Sequence, residues 1–208
     1  MDARIAQKIG CGNRVLDLGC GSGEILSAIS ENFSERIGFD VSRRRLETGN
    51  HVAGDWKFVQ TDLNAPFPIE DEFVDVVVAN QVIEHIVDPF SFVGEIYRIL
   101  RPNGRCVLTT PNIRYVRNLW NLAFSGRGPR TAGGNTLDGD WDDGHLHYFT
   151  HKDLRELLAF AGFPFVETEA LILDYDKQWL RYLLDKYSRT YLIREFFSGN
   201  IILWATKT

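Results

Sequence analysis

Short apolar runs alternate along the chain with stretches in which apolar residues recur every three or four positions. That alternation is the signature of parallel strands joined by crossover helices. The runs predict strands over residues 14–18, 36–40, 57–61, 73–80 and 105–110, and the periodic stretches predict helices over 24–32, 43–50 and 89–100. Arg101-Pro-Asn-Gly104 supplies the proline and glycine of a tight turn ahead of the fifth strand. Thr150 is placed to cap a helix that runs through Ala161 and stops at Gly162, and strands over 164–170 and 201–206 finish the sheet.

Two segments break the alternation. Residues 111–147 contain six glycines together with Trp120 and Trp141, and a connection of that length in a compact domain is usually functional. In residues 175–197, Trp179, Tyr182, Leu183, Tyr187, Tyr191 and Phe196 recur at about helical spacing. This predicts a helix packed on the sheet or on a partner subunit, with a homodimer through 175–197 as one arrangement; the rival is an aromatic lid. Both segments follow strands whose C-terminal ends face the ligand crevice of an open α/β sheet.

The most informative stretch is Val15-Leu-Asp-Leu-Gly-Cys-Gly-Ser-Gly23, an apolar run that reaches an acid and then a glycine-dense turn. The spacing is Gly19-x-Gly21-x-Gly23, and Glu24 stands where the dinucleotide fingerprint has its third glycine. Such a loop lets backbone approach a ligand closely. Asp17 argues against a bound pyrophosphate and for a ligand carrying an amine, which S-adenosylmethionine is. Asp40 ends the second strand, where an acid accepts hydrogen bonds from both ribose hydroxyls; that chemistry alone does not separate S-adenosylmethionine from NAD. Asp62 follows the third strand, placed for an adenine amino group, and Asn80 ends the fourth, near a methionine ammonium. Any one of these acids could simply cap a helix or turn. Three at successive strand ends, in phase with the glycine loop, argue for a cofactor site.

Composition narrows the partners. At 208 residues the chain is long enough for one ordinary domain with a full core. A net charge of -5 gives no reason to expect nucleic acid or an anionic membrane surface. The three cysteines (Cys11, Cys20 and Cys106) share no metal-like spacing and suit reduced thiols in a cytosol. With no signal peptide and no run of membrane-spanning length, a cytoplasmic location is expected.

From Asn13 to about Phe163 the chain resembles the class I S-adenosylmethionine-dependent methyltransferases, in particular the type 11/23 group that includes ubiquinone-biosynthesis O-methyltransferases. The segments that carry the likeness are VLDLGCGSG, IGFDVS, FVQTDL, the run from Phe73 to Pro89, ILRPNGRCVLTTPN and HYFTHKDLRELLAFAGF. The resemblance implies a Rossmann-like α/β fold: a doubly wound, seven-stranded, mostly parallel sheet with the last strand antiparallel. It implies a single domain over 1–208, with insertions at about 111–147 and 171–199 forming the acceptor side or a lid. It places Gly19 and Gly21 against the methionine portion through backbone, Asp40 on the ribose, Val41 and Leu63 beside the adenine with Asp62 at its amine, and Asn80 and Gln81 near the sulfonium.

S-adenosylmethionine carries its own leaving group, becoming S-adenosylhomocysteine, so transfer needs mainly positioning and removal of a proton. Gln81-x-x-Glu84-His85 lies just past the fourth strand and supplies a candidate base, His85. The plain alternative has Glu84 bridging and His85 packing on the sheet. Some relatives, including plant small-RNA 2′-O-methyltransferases, hold a divalent metal with Glu-x-x-Glu-His and a later histidine. Glu84, His85 and His145 match that pattern, but Gln81 replaces a carboxylate, so metal binding is not favoured here. The expected activity is O-methylation of a hydroxyl on a small molecule or glycan precursor; N-methylation and non-catalytic cofactor binding are the alternatives. Arg114, Arg117, Arg127 and Arg130 in the long segment suit a substrate phosphate or carboxylate, or are solvated loop charges.

Overall fold

The structure, a computed structural model, describes residues 3–42, 56–126, 128, 144–172 and 178–208. Each apolar run is a strand: β1 Gly12–Leu18, β2 Phe33–Asp40, β3 Lys57–Gln60, β4 Val74–Asn80, β5 Leu100–Pro111, β6 Phe165–Leu171 and β7 Asn200–Thr206. They form one sheet in the order β3-β2-β1-β4-β5-β7-β6. All pairings among β1 to β5 are parallel, and β7 runs antiparallel to β5 and to β6. The expected Rossmann-like, doubly wound sheet is therefore present. Strand order reverses between β1 and β4, so the ligand crevice opens at their C-terminal ends.

The inner strands read as continuous apolar runs because both faces are covered. On one face Leu16, Leu18, Phe39 and Leu108 pack against α3 (Pro89–Ile99) and α5 (His151–Phe160). On the other, Val15, Val76 and Val107 meet Ile5 and Ile9 of α1 (Ala3–Ile9) and Leu26 of α2 (Glu24–Ala28). Asp88 caps α3 through the Phe90 and Ser91 amides, with Pro89 in the first turn. Thr150 caps α5 as expected, exchanging side-chain and backbone bonds with Asp153 in a capping box.

Several elements differ from the sequence reading. The helix expected over 24–32 ends at Ala28, and Ser30–Asn32 tightens into a 3₁₀ turn that feeds directly into β2. The Arg101–Gly104 turn lies inside β5 as a bulge: pairing passes from Val74 with Leu100 to Val76 with Arg105, and Asn103 adopts φ 65°. Within 111–147 there is a helix, α4 Val116–Phe124. The single helix expected over 175–197 is two, α6 Gln178–Lys186 and α7 Tyr191–Phe196. Their inner side is aliphatic, with Leu184 packed on Ala170 and Ile172 and flanked by Leu180 and Ile193. Trp179, Tyr182, Leu183, Tyr187 and Tyr191 are exposed, so the aromatic stripe does not pack on the sheet. The helix expected over 43–50 and residues 129–143, with Trp141, lie outside the described residues. Among the described residues no helix is long and apolar enough to cross a membrane.

Candidate functional site

The glycine turn follows β1 as expected. Gly19 has φ 68° and Gly21 φ 53°, a left-handed backbone that side chains rarely adopt. A Cβ at Gly19 would stand 2.6 Å from Val82 Cγ2, whereas one at Gly21 would meet no atom within 4 Å. The first glycine is required by packing; the second lines open space.

Two acids meet beside this turn. Asp17 pairs across the middle of the sheet with Gly38 and Val78 and is fully buried. Burial, reinforced by the charge of Asp40, pushes its carboxyl up to about 8, and its Oδ1 has no hydrogen-bond partner. A buried acid left short of a donor at a crevice is an arrangement that a cationic ligand relieves. Asp40 accepts from the Gly21 amide at 2.9 Å and from the Ser42 amide at 2.8 Å, so its orientation is fixed by backbone. Cys20 between them is buried, and desolvation with the two acids drives its thiol far up; it is an inert small residue.

Further along the crevice, Val41 is exposed immediately after Asp40, as a contact for a flat base would be. Asp62 Oδ1 accepts from the Asn64 amide at 2.9 Å and its side chain at 3.0 Å, holding the turn after β3, and Leu63 packs at the edge of the core. Asn80 Oδ1 accepts from the Thr109 hydroxyl at 2.7 Å. Gln81 is held at φ 58°, its amide bonded to the Thr109 carbonyl and its side chain to Thr109 Oγ1 at 3.2 Å. Left-handed backbone at a non-glycine residue stores strain, and strain of this kind concentrates at working sites.

The turn after β4, Ile83–His85, brings three candidate groups together. Glu84 is buried; burial raises its carboxyl to about 7 against a 3.0 Å bond from Thr110 Oγ1, and its Oε1 has no partner. Its backbone carbonyl accepts from the amides of Leu146 at 2.8 Å and His147 at 3.1 Å, which ties residues 144–147 over the turn. His85 Nδ1 lies 3.2 Å from the Gly144 carbonyl. A carbonyl partner assigns the proton to Nδ1 and leaves Nε2 as the acceptor. His145 stacks edge-on against His85 with ring centroids 4.9 Å apart, and burial followed by the charge of His85 lowers its pKa. Ligand atoms of Glu84, His85 and His145 all lie within 4.8 Å of one another. One carboxylate and two imidazoles are a donor set for a divalent transition metal, and the orphaned Glu84 Oε1 fits such an ion. His147 sits apart, its Nε2 3.4 Å from the Val87 carbonyl.

Every expected site residue is thus at the C-terminal edge of the sheet. The sequence reading missed Thr109 and Thr110, which orient Asn80, Gln81 and Glu84. Their signal was present as two hydroxyl residues closing the apolar run Cys106-Val-Leu108 of β5.

A methyltransferase domain model matches residues 3–168. A Mycolicibacterium smegmatis protein named "probable S-adenosylmethionine-dependent methyltransferase" is 33% identical over 162 residues, 76% of this chain and 54% of the relative. A ubiquinone biosynthesis O-methyltransferase of Psychrobacter arcticus is 31% identical over 180 residues, 83% of this chain and 66% of the relative. The chain therefore spans about half to two thirds of these relatives. An S-adenosylmethionine-dependent methyltransferase structure from Mesorhizobium loti superposes with a TM-score of 0.68 at 17% identity, covering 99% of this chain and 95% of that one. One from Archaeoglobus fulgidus gives 0.65 at 22%, covering 99% and 92%. These two likenesses show the fold; the sequence matches show more. With the glycine turn, the paired acids and the domain match in agreement, the chain belongs to the class I S-adenosylmethionine-dependent methyltransferases.

Proposed function

We propose that the protein transfers a methyl group from S-adenosylmethionine to a hydroxyl of a small molecule or glycan precursor. The observation that carries the choice of a hydroxyl is the convergence of Glu84, His85 and His145 beside the Asn80–Gln81 strand end. An amine needs no strong base to react, whereas a hydroxyl gains from one that takes its proton. Bound S-adenosylmethionine supplies the electrophilic methyl. The chain would orient it: Asp17 would meet the ammonium, the Gly19–Gly21 backbone would approach the methionine portion, and Asp40 would accept from the ribose. His85 Nε2, presented by the Nδ1 bond to Gly144, takes the acceptor proton.

A second reading rests on the same cluster. Glu84, His85 and His145 would hold a divalent cation there, which would supply Lewis-acid charge that lowers the pKa of an acceptor hydroxyl, with His85 a ligand rather than the base. The test is formation of S-adenosylhomocysteine across a panel of matched hydroxyl and amine acceptors, with chelator or with added divalent metal. Hydroxyl-selective turnover supports the proposal, and its dependence on metal selects the second reading. Amine-selective turnover overturns the choice of acceptor; no turnover on any acceptor despite tight cofactor binding favours a non-catalytic binding protein.

A further inference from the structure

The end of β5 carries a hydroxyl whose hydrogen bonds account for its full capacity. Thr109 is buried, and its pairing partner on β4 is Asn80. Three groups meet Thr109 Oγ1: the Gln81 amide at 3.1 Å, Gln81 Nε2 at 3.2 Å and Asn80 Oδ1 at 2.7 Å. A hydroxyl offers one proton and two lone pairs. The backbone amide of Gln81 can only donate, so it takes one lone pair. The contact to Asn80 has the length of an O–H···O bond, and the contact to Gln81 Nε2 the upper length of an N–H···O bond. The proton therefore goes to Asn80 Oδ1 and the second lone pair to Gln81 Nε2.

This arrangement fixes the two side-chain amides in opposite senses. Asn80 turns its oxygen to Thr109 and keeps its NH2, whereas Gln81 turns its nitrogen and keeps its carbonyl Oε1. Both residues are half-buried and Thr109 is covered, so the groups they keep lie on the side away from it, towards the crevice. The anchor is firm. Further along the same chain segment, Asn112 donates to the carbonyls of Glu195 and Ser198, both at 3.0 Å, and Arg114 pairs with the Glu195 carboxylate at 2.9 Å. The bonds from Gln81 to Thr109 hold its backbone at φ 58°.

Strand register locates the Gln81 carbonyl. Asp17 pairs with Gly38 and Val78, so Asp40 and Asn80, each two residues further on, end the same face of the sheet. Val82 abuts Gly19, and Glu84 and His85 follow it. Gln81 thus stands between the turn that would cradle the cofactor and the cluster that would take the acceptor proton. A methyl group on its way to the acceptor must lie between those two.

We propose that Gln81, held by Thr109, is the group through which the protein distinguishes S-adenosylmethionine from S-adenosylhomocysteine. The first ligand carries a positive sulfonium and the second a neutral thioether. A carbonyl oxygen turned towards the sulfur favours the cation, and an amide turned the other way would set N–H groups against it. Thr109 acts through Gln81, as a positioning residue. The inference rests on S-adenosylmethionine binding along this edge and on neither choice of acceptor.

Calorimetric titration with each ligand in the presence of chelator tests it. The two ligands share ammonium, carboxylate, ribose and adenine, so the ratio of their dissociation constants reports on the methyl sulfonium, and a partly unfolded sample weakens both alike. Thr109→Val should move that ratio about fivefold towards S-adenosylhomocysteine, the net contribution of one ordinary hydrogen bond. Thr109→Ser, which keeps the hydroxyl, should restore the wild-type ratio. Gln81→Gly suits the left-handed backbone and should move the ratio as far as Thr109→Val does. The double variant should move it no further, because both changes remove one interaction. A ratio unchanged in Thr109→Val or in Gln81→Gly overturns the proposal, as do shifts that add in the double variant. Failure of the wild-type chain to bind either ligand would overturn the cofactor assignment itself, and this inference with it.

Discussion

Replacing Asp17 with asparagine should make the ligand-free protein more stable and a poorer binder. Burial raises the Asp17 carboxyl from 3.8 to about 8, so between those values the folded chain keeps a proton that the unfolded chain has released. Stability from this group therefore falls as pH climbs from about 4 to about 8. Near pH 7 the interval is about three units at 1.36 kcal/mol each, a penalty of ~4 kcal/mol. Asp17→Asn removes the ionisation that favours the unfolded state, and the remaining cost of burying an amide makes that figure an upper bound. At about 2–4 °C per kcal/mol for a chain of this length, Tm should rise by up to about 8–16 °C. The ligand's ammonium loses a charged acceptor, worth about 1.5–3 kcal/mol, so S-adenosylhomocysteine should bind roughly 10- to 150-fold more weakly. The assays are thermal melts of both proteins from pH 5 to 8.5 and calorimetric titration with S-adenosylhomocysteine. The gap in Tm should widen with pH. A variant that melts below wild type throughout and binds as tightly would refute both the buried-charge argument and the ligand assignment.

Three further outcomes follow from the same geometry. Asp40→Ala should lower S-adenosylhomocysteine affinity by at least about 10²-fold, since two charge-assisted ribose bonds are lost, and calorimetry would expose the error if binding persisted. For the metal reading, cobalt(II) should bind the chelator-treated protein with a visible d–d spectrum, more than about tenfold more weakly in His145→Ala; a featureless titration leaves His85 as a base alone. Thr150→Ala removes the capping box of α5 and should cost about 1 kcal/mol, or about 2–4 °C in Tm. Cofactor affinity should not move, and a matching drop there would show that the helix supports the site.

The cofactor half was legible because its chemistry is written contiguously. The glycine turn and the acids at the ends of β1 and β2 sit at fixed steps from apolar runs, and the parallel pairing turns those steps into one edge. Glu84 and His85 were legible for the same reason. That His145 meets His85 could not be read from spacing, because the contact depends on the Glu84 carbonyl capturing the amides of Leu146 and His147 across the crevice. The outer segments misled for a different reason. Aromatic periodicity in 175–197 predicted a buried face, but the buried side is built from Leu180, Leu184 and Ile193. Periodicity shows that a helix has two sides and is silent on which side the sheet receives.

Asn112 has a consequence for exchanging specificity between relatives. Fully buried at the end of β5, it grips carbonyls 83 and 86 residues further along, and its own amide bonds to the Gly199 carbonyl. The two outer segments are therefore one part in engineering terms. A chimera that imports α4 without α6 and α7 sets Asn112 and Arg114 against carbonyls and a carboxylate selected for another neighbour. Grafts of acceptor preference should carry both segments, with the residues from Asn112 to Arg114 and from Glu195 to Gly199 as the seam.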